Sequence, residues 1–259
     1  MIDVQDVRRY YGEFLAVDRL SFSIPKGKIL GFLGPNGSGK TTTMRMLSGF
    51  MPPSSGRILI DGLDIQQNPL EAKKKIGYLP ETPPLYLDMR VDEYLTYVAH
   101  LKSVPRETIP ARVENVETTC GLLDVRLKLV RSLSKGYRQR VGIAQSVIHQ
   151  PSFLILDEPT VGLDPKQIAE IRRLIKSLAG EMTVILSTHI LPEVTLICDE
   201  ILIINKGQMK FRDSLDRIEG QDLERLFLKY TYEEGMEEKD DGFRPEARRN
   251  DGHEETGNK

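Results

Sequence analysis

The octapeptide Gly34-Pro-Asn-Gly-Ser-Gly-Lys-Thr41 constrains this chain more than any other feature. It fits G-x-x-x-x-G-K-[ST], a loop whose backbone N–H groups cradle phosphates and which belongs between a strand and a helix N-terminus. The flanks comply. An apolar run, Ile29–Leu33, feeds into Gly34, and Lys40-Thr-Thr-Thr-Met starts a helical run. Gly34, Gly37 and Gly39 let the backbone curl so that successive N–H groups face an anion, while Pro35, Asn36 and Ser38 complete the loop. Lys40 is expected to neutralise β- and γ-phosphates, Thr41 to offer its hydroxyl to Mg²⁺, and Thr42 to complete the binding set.

A glycine-rich turn can arise by accident, so three further strings decide the matter: Leu133-Ser-Lys-Gly-Tyr137, Phe153-Leu-Ile-Leu-Asp-Glu158 and Ser187-Thr-His189. Asp157 and Glu158 end an apolar strand. Adjacent carboxylates there repel each other and lose hydration, which argues for a cation beside them. Successive strand side chains diverge, which suits different roles: Asp157 on Mg²⁺, and Glu158 polarising the attacking water. His189 falls at the end of another strand, at the edge where open α/β sheets bind ligands, and is expected to contact the γ-phosphate. His100, His149 and His253 have no such setting and receive no role. Ser134 precedes a long helical run as a plausible N-cap, with Gly136 giving close backbone access, so a plain cap and a second anion site both fit. Together the strings predict a chain that binds and hydrolyses ATP.

The segments around them alternate in type. Phe22 and Ile24, then Ile58 and Ile60, read as strands bounded by turns. Near-continuous apolar runs at 29–33, 153–156, 184–186 and 201–204, separated by helical stretches such as 167–178, predict a mostly parallel sheet covered on both faces. Residues 91–102, 106–123 and 134–150 all favour helix, which predicts a helical subdomain at about 83–150 inserted into the sheet domain. The expected fold is α/β, a P-loop NTPase with an N-terminal antiparallel β subdomain. It is expected to span residues 1–231 and to be followed by a charged, disordered tail at 232–259.

The set resembles the nucleotide-binding subunit of ATP-binding-cassette transporters over roughly Ile2 to Tyr230. The resemblance implies that Leu133–Tyr137 is the signature, binding through Ser134 and Gly136 the γ-phosphate held by the other subunit of a head-to-tail dimer. Val161-Gly-Leu-Asp-Pro165 looks like the D-loop, with Asp164 crossing that interface, and Tyr11 matches the aromatic residue that stacks on adenine. Ile76-Gly-Tyr-Leu-Pro-Glu81 matches the loop joining the two lobes, with Glu81 as a metal ligand where glutamine is usual. The signature departs too, reading Ser-Lys-Gly-Tyr for the commoner Ser-Gly-Gly-Gln. Both departures are similar to an exporter subgroup that includes gliding-motility and multidrug-type ATPases.

The implied function is the ATPase subunit of an exporter, using ATP and Mg²⁺, with a separately encoded permease and a second copy as partners. It would be cytoplasmic, on the inner face of the membrane. No apolar run approaches the roughly 18 residues of a spanning helix, and no signal peptide is visible at Met1-Ile-Asp-Val. A net charge of −2 gives no basic field for nucleic acid. Cys120 and Cys198 are too few for a disulfide framework or a metal quartet and read as packing residues in a reducing compartment. Soluble cassette ATPases of translation or DNA repair are the alternative, disfavoured by the single cassette and the lack of sustained heptads. An importer ATPase is the third reading. A GTPase is excluded because Asn205-Lys206-Gly207-Gln208 lacks the aspartate that reads guanine.

Overall fold

The alternating segments at the start of the chain form an antiparallel sheet, and the continuous apolar runs form a parallel one, as their patterning requires. The computed structural model describes residues 1–218 and 223–232, so the expected disordered tail lies, beyond Tyr232, outside the described residues. The first sheet has the order β2-β1-β4-β5, from β1 (Ile2–Tyr11), β2 (Phe14–Ile24), β4 (Ser55–Ile60) and β5 (Leu63–Asp64). The second has the order β10-β9-β3-β8-β7-β6, from β3 (Ile29–Leu33), β6 (Ile76–Leu79), β7 (Phe153–Asp157), β8 (Thr183–Thr188), β9 (Glu200–Asn205) and β10 (Gln208–Ser214). Only the β9–β10 pair in it is antiparallel.

Every residue of β3 and β7 is buried, and their two faces serve different cores. Phe153 and Ile155 join Leu30 and Phe32 in a core shared with Ile2, Val4, Ile58 and Ile60 of the antiparallel sheet. Leu154 and Leu156 point the other way, into a core built largely from helices. The period of two thus glues two layers to one strand. Phe32 is fully buried, so Phe32→Ala should cost about 3–5 kcal/mol.

Helix α1 (Lys40–Leu47) lies in the first core through Met44, Met46 and Leu47, which places its N-terminus at the end of β3. A short α2 (Pro69–Lys74) precedes β6. Between β6 and β7 come α3 (Val91–Leu101), α4 (Ile109–Thr119) and α5 (Lys135–Val147), with no strand among them. Then follow α6 (Pro165–Leu178), α7 (Leu191–Ile197), α8 (Leu215–Ile218) and α9 (Leu223–Tyr232). Two helices are shorter than their patterning suggests. The stretch expected over 106–123 is a 3₁₀ turn (Arg106–Thr108) followed by α4, which ends before Gly121 at φ +63°. The stretch expected to run to Gln150 stops at Val147, and Gln150 has φ +54° ahead of Pro151.

Candidate active site

The phosphate loop closes around its own glycines. A Cβ at Gly34 would come within 2.4 Å of Ser38 Oγ and 2.5 Å of the Ile204 carbonyl, and one at Gly39 within 2.8 Å of the Ala16 carbonyl. Gly39 caps α1 with φ +106°, which only glycine adopts without strain. Ser38 Oγ is buried without a hydrogen-bond partner. No acidic residue occupies the first turn of α1, so the positive end of the helix dipole is uncompensated. The cradle therefore fits a triphosphate on its own geometry.

Lys40 is only 6% exposed, and its Nζ donates to the carbonyls of Gly34 at 2.7 Å and Pro35 at 3.2 Å. The same ammonium stands 3.6 Å from Glu158 Oε1. Glu158 follows β7 with φ +49°, a left-handed conformation that is costly for a residue with a Cβ and that turns its side chain across the loop. Its backbone N–H donates to the Ser187 carbonyl at 3.0 Å, which holds that turn against β8. His189, just past β8, places Nδ1 at 3.0 Å from both carboxylate oxygens of Glu158, with nearly half of its side chain in solvent.

Asp157 ends β7 almost completely buried. Its Oδ1 accepts from Ser187 Oγ at 2.7 Å, while Oδ2 is buried with no hydrogen-bond partner. Burial pushes this carboxyl above its usual range; the Ser187 and Thr41 hydroxyls pull it back, and the charges of Glu158 and Glu81 push it further up. A bare carboxylate oxygen next to a threonine hydroxyl fits a hard cation that takes its other ligands from phosphate and water, as Mg²⁺ does. Among the described residues no group of three or more His, Cys, Asp or Glu forms an all-protein metal cage.

A cavity of about 450 Å³ brings together Tyr11, Asn36, Gly37, Gly39, Lys40, Thr41, Thr42, Glu81, Glu158 and His189. Gly34, Pro35 and Ser38 shape the loop from behind. Thr41, Glu81 and Asp157 also line an adjoining cavity of about 470 Å³. Tyr11 is held by Arg9, whose guanidinium sits 5.1 Å from the ring centroid. Ser134, Gly136 and Asp164 do not line the cavity. Ser134 caps α5 by accepting from the Tyr137 N–H at 3.3 Å, and Asp164 caps α6 by accepting from the Gln167 N–H at 2.9 Å. The two caps are neighbours, because a Cβ at Gly136 would meet the Gln167 side chain at 2.7 Å.

Two kinds of residue escaped sequence reasoning. Phe14 and Ala16 line the cavity beside Tyr11; their alternation on β2 directly after the Tyr11-Gly12 turn was the available signal. Glu193 is fully buried on α7 and accepts from the hydroxyls of Thr160, in a short contact, and Thr188, at 3.0 Å. It ties the loop after Glu158 to the strand before His189. Nothing local in the sequence marks it, since the tie spans 33 residues.

A family model described as ABC transporter matches residues 17–161, more than half of the chain. A narrower model of an AAA domain matches residues 129–195. The bacitracin transport ATP-binding protein BcrA of Bacillus licheniformis is 41% identical over 211 residues, covering 81% of this chain and 68% of the relative. The lantibiotic transport ATP-binding protein SrtF of Streptococcus pyogenes is 37% identical over 228 residues, covering 88% and 96%. A solved ATP binding subunit of an ABC transporter superposes with a TM-score of 0.80 at 27% identity, covering 89% of this chain and 99% of that one. With its phosphate loop, its paired carboxylates and these relatives, the chain belongs to the ABC transporter family as an ATP-binding, ATP-hydrolysing subunit.

Proposed function

We propose that the chain energises export through a separate membrane-spanning partner, on the cytoplasmic face of the membrane, with residues 1–231 as the ATPase unit. The observation that carries the catalytic part is the meeting of Lys40, Glu158 and His189 over one cavity. The transport part rests on the relatives, which are named for bacitracin and lantibiotic transport. Among the described residues no helix is long and apolar enough to cross a membrane, and in this reading the partner supplies the pathway.

In this reading the loop N–H groups and Lys40 bind the β- and γ-phosphates, and Tyr11 stacks on the base. Lys40 exchanges the Gly34 and Pro35 carbonyls and the Glu158 carboxylate for phosphate oxygens, which frees Glu158 to accept a proton from the attacking water. His189 holds Glu158 in place and reaches the γ-phosphate. Thr41 and Asp157 would hold Mg²⁺, with Glu81 beside them. When bound, the ion would neutralise charge developing on the phosphates. A second copy would close the cavity with its Ser134, Gly136 and Asp164, which explains why these residues lie outside the cavity of their own chain.

The test is Glu158→Gln. It should retain ATP while phosphate release slows by about 10²–10⁴-fold. Near-normal turnover would remove Glu158 from its role. Co-purification of the native chain with ribosomes or DNA, rather than with an integral membrane subunit, would overturn the transport reading.

A further inference from the structure

A third concave site, of about 290 Å³, shares no residue with the 450 Å³ nucleotide cavity and only Lys102 with the cavity that adjoins it. Four separate elements bring Lys74, Lys102, Arg112 and His149 to its wall: the end of α2, the C-cap of α3, α4, and the segment after α5. Among the described residues no carboxylate lines it. Lys74 pairs with Glu71 at 2.7 Å, whereas among the described residues neither Lys102 nor Arg112 has an ion-pair partner. Lys74 and Lys102 are exposed and Arg112 is half-buried, so their charges stay in reach of solvent and of a visiting anion, and the chain as a whole carries a net charge of −2, so no general basic excess accounts for their convergence on one concavity.

His149 reports the same imbalance. Its Nε2 lies 3.0 Å from the Ile76 carbonyl, which fixes that nitrogen as the donor, and Nδ1 is buried with no partner. Burial and the charge of Lys102 push its pKa down to about 4, against the pull of the Ile76 hydrogen bond. Burial also lowers Lys102, and neighbouring Lys73 lowers it further. The charge of Lys102 thus reaches His149 within the same wall.

We propose that this pocket binds a phosphate-type anion, held by Lys102 and Arg112 with Lys74 beside them and independent of the nucleotide cavity. Burial remains the larger cause of His149 neutrality, and such an anion offsets the second, the charge of Lys102. Binding is therefore linked to protonation of His149, and affinity rises as pH falls toward the pKa of the occupied state. The phosphate comes either from solution or from an anionic lipid headgroup, and the chemistry of capture is the same.

The experiment uses the full chain with ¹⁵N-labelled histidine, His149 being assigned by its loss in His149→Asn. Inorganic phosphate is titrated while the His149 ring shifts are followed against pH. The ring reads this pocket alone, so phosphate that also enters the nucleotide loop does not confuse the result. The expected result is a rise of about one unit in the His149 pKa, tenfold in proton affinity. The rise should vanish in the double variant Lys102→Ala, Arg112→Ala and persist in Lys102→Arg, which keeps the charge and controls for misfolding. A second arm pellets the same proteins with phosphatidylcholine vesicles with and without phosphatidylglycerol. Pelleting that requires phosphatidylglycerol and is lost in the double variant assigns the lipid source, and a phosphate response without pelleting assigns the soluble one. A His149 titration unmoved by phosphate and by vesicles overturns the proposal, as does a full response in the double variant.

Discussion

The Ser187 hydroxyl donates to Asp157 Oδ1 at 2.7 Å, directly across the β7–β8 register, and leaves Oδ2 of the same buried carboxylate unpaired. One oxygen is anchored and the other is kept bare. That division suits the metal ligand proposed for Asp157, at a cost to the nucleotide-free fold.

Asp157→Asn should expose that cost. Burial raises the folded-state pKa above the unfolded value of 3.8, so the favourable, protonated contribution is complete below 3.8 and is lost as pH rises through the folded pKa. Asparagine is neutral throughout and still accepts from Ser187. Without nucleotide, the variant should melt higher than the native chain at pH 7, with the gap closing on acidification. Mg²⁺-dependent turnover should fall by about 100-fold or more. A lower melting temperature at pH 7 would show that the carboxylate stabilises the fold on balance.

Ser134→Arg separates a partner's site from the chain's own. Loss of the α5 cap should cost about 1 kcal/mol, too little to unfold the chain, and ATP binding should stay near normal. In a Glu158→Gln background the substitution should abolish ATP-dependent dimerisation, read by light scattering on a sizing column. If the dimer persists, Ser134 does not complete a composite site.

Glu81 lines both adjoining cavities and adds its charge to the field that raises Asp157. Glu81→Gln should keep ATPase activity and reach half-maximal turnover at a lower Mg²⁺ concentration, because the closed site depends less on the cation to screen it. Superimposable Mg²⁺ titrations of the two proteins would eliminate a metal-linked role.

Asp61 offers a test of stability away from the site. Burial alone would raise its pKa, but hydrogen bonds from the N-terminal ammonium and Ser152, with the charges of that ammonium and Lys26, hold it down to about 2. A depressed pKa stabilises the fold above the unfolded value and loses that contribution as pH falls through the folded one. Both cationic partners are exposed and screened by solvent, so Asp61→Asn should cost about 1 kcal/mol at pH 7. The difference from the native chain should shrink as pH drops below about 3.8 in urea unfolding series. A constant difference down to pH 3 would assign the effect to something other than charge.

The parts of the site that were legible in the sequence are those whose chemistry is local. A phosphate cradle needs its glycines, lysine and threonine in one unbroken loop, so Gly34 to Thr42 announce themselves, as do adjacent carboxylates closing an apolar strand. The strands were legible because parallel strands buried on both faces must be apolar throughout. What escaped is what tertiary contact decides. Glu193 meets Thr160 only after two strands and a helix have packed, and Phe14 lines the cavity only because β2 runs past the loop. Helix ends slipped for a related reason: Gln150 adopts a left-handed turn that no side-chain pattern announces.

The tie made by Glu193 has a mechanical consequence. The segment leaving Glu158 and the strand delivering His189 share one buried carboxylate, and pulling them apart would strand two hydroxyls and a charge away from water. The two jaws proposed to grip the reacting phosphate are therefore pinned to each other like the halves of a clasp riveted at the back. A stroke that follows hydrolysis would then be delivered by this clasp swinging as a unit against its surroundings, because the rivet makes spreading costly.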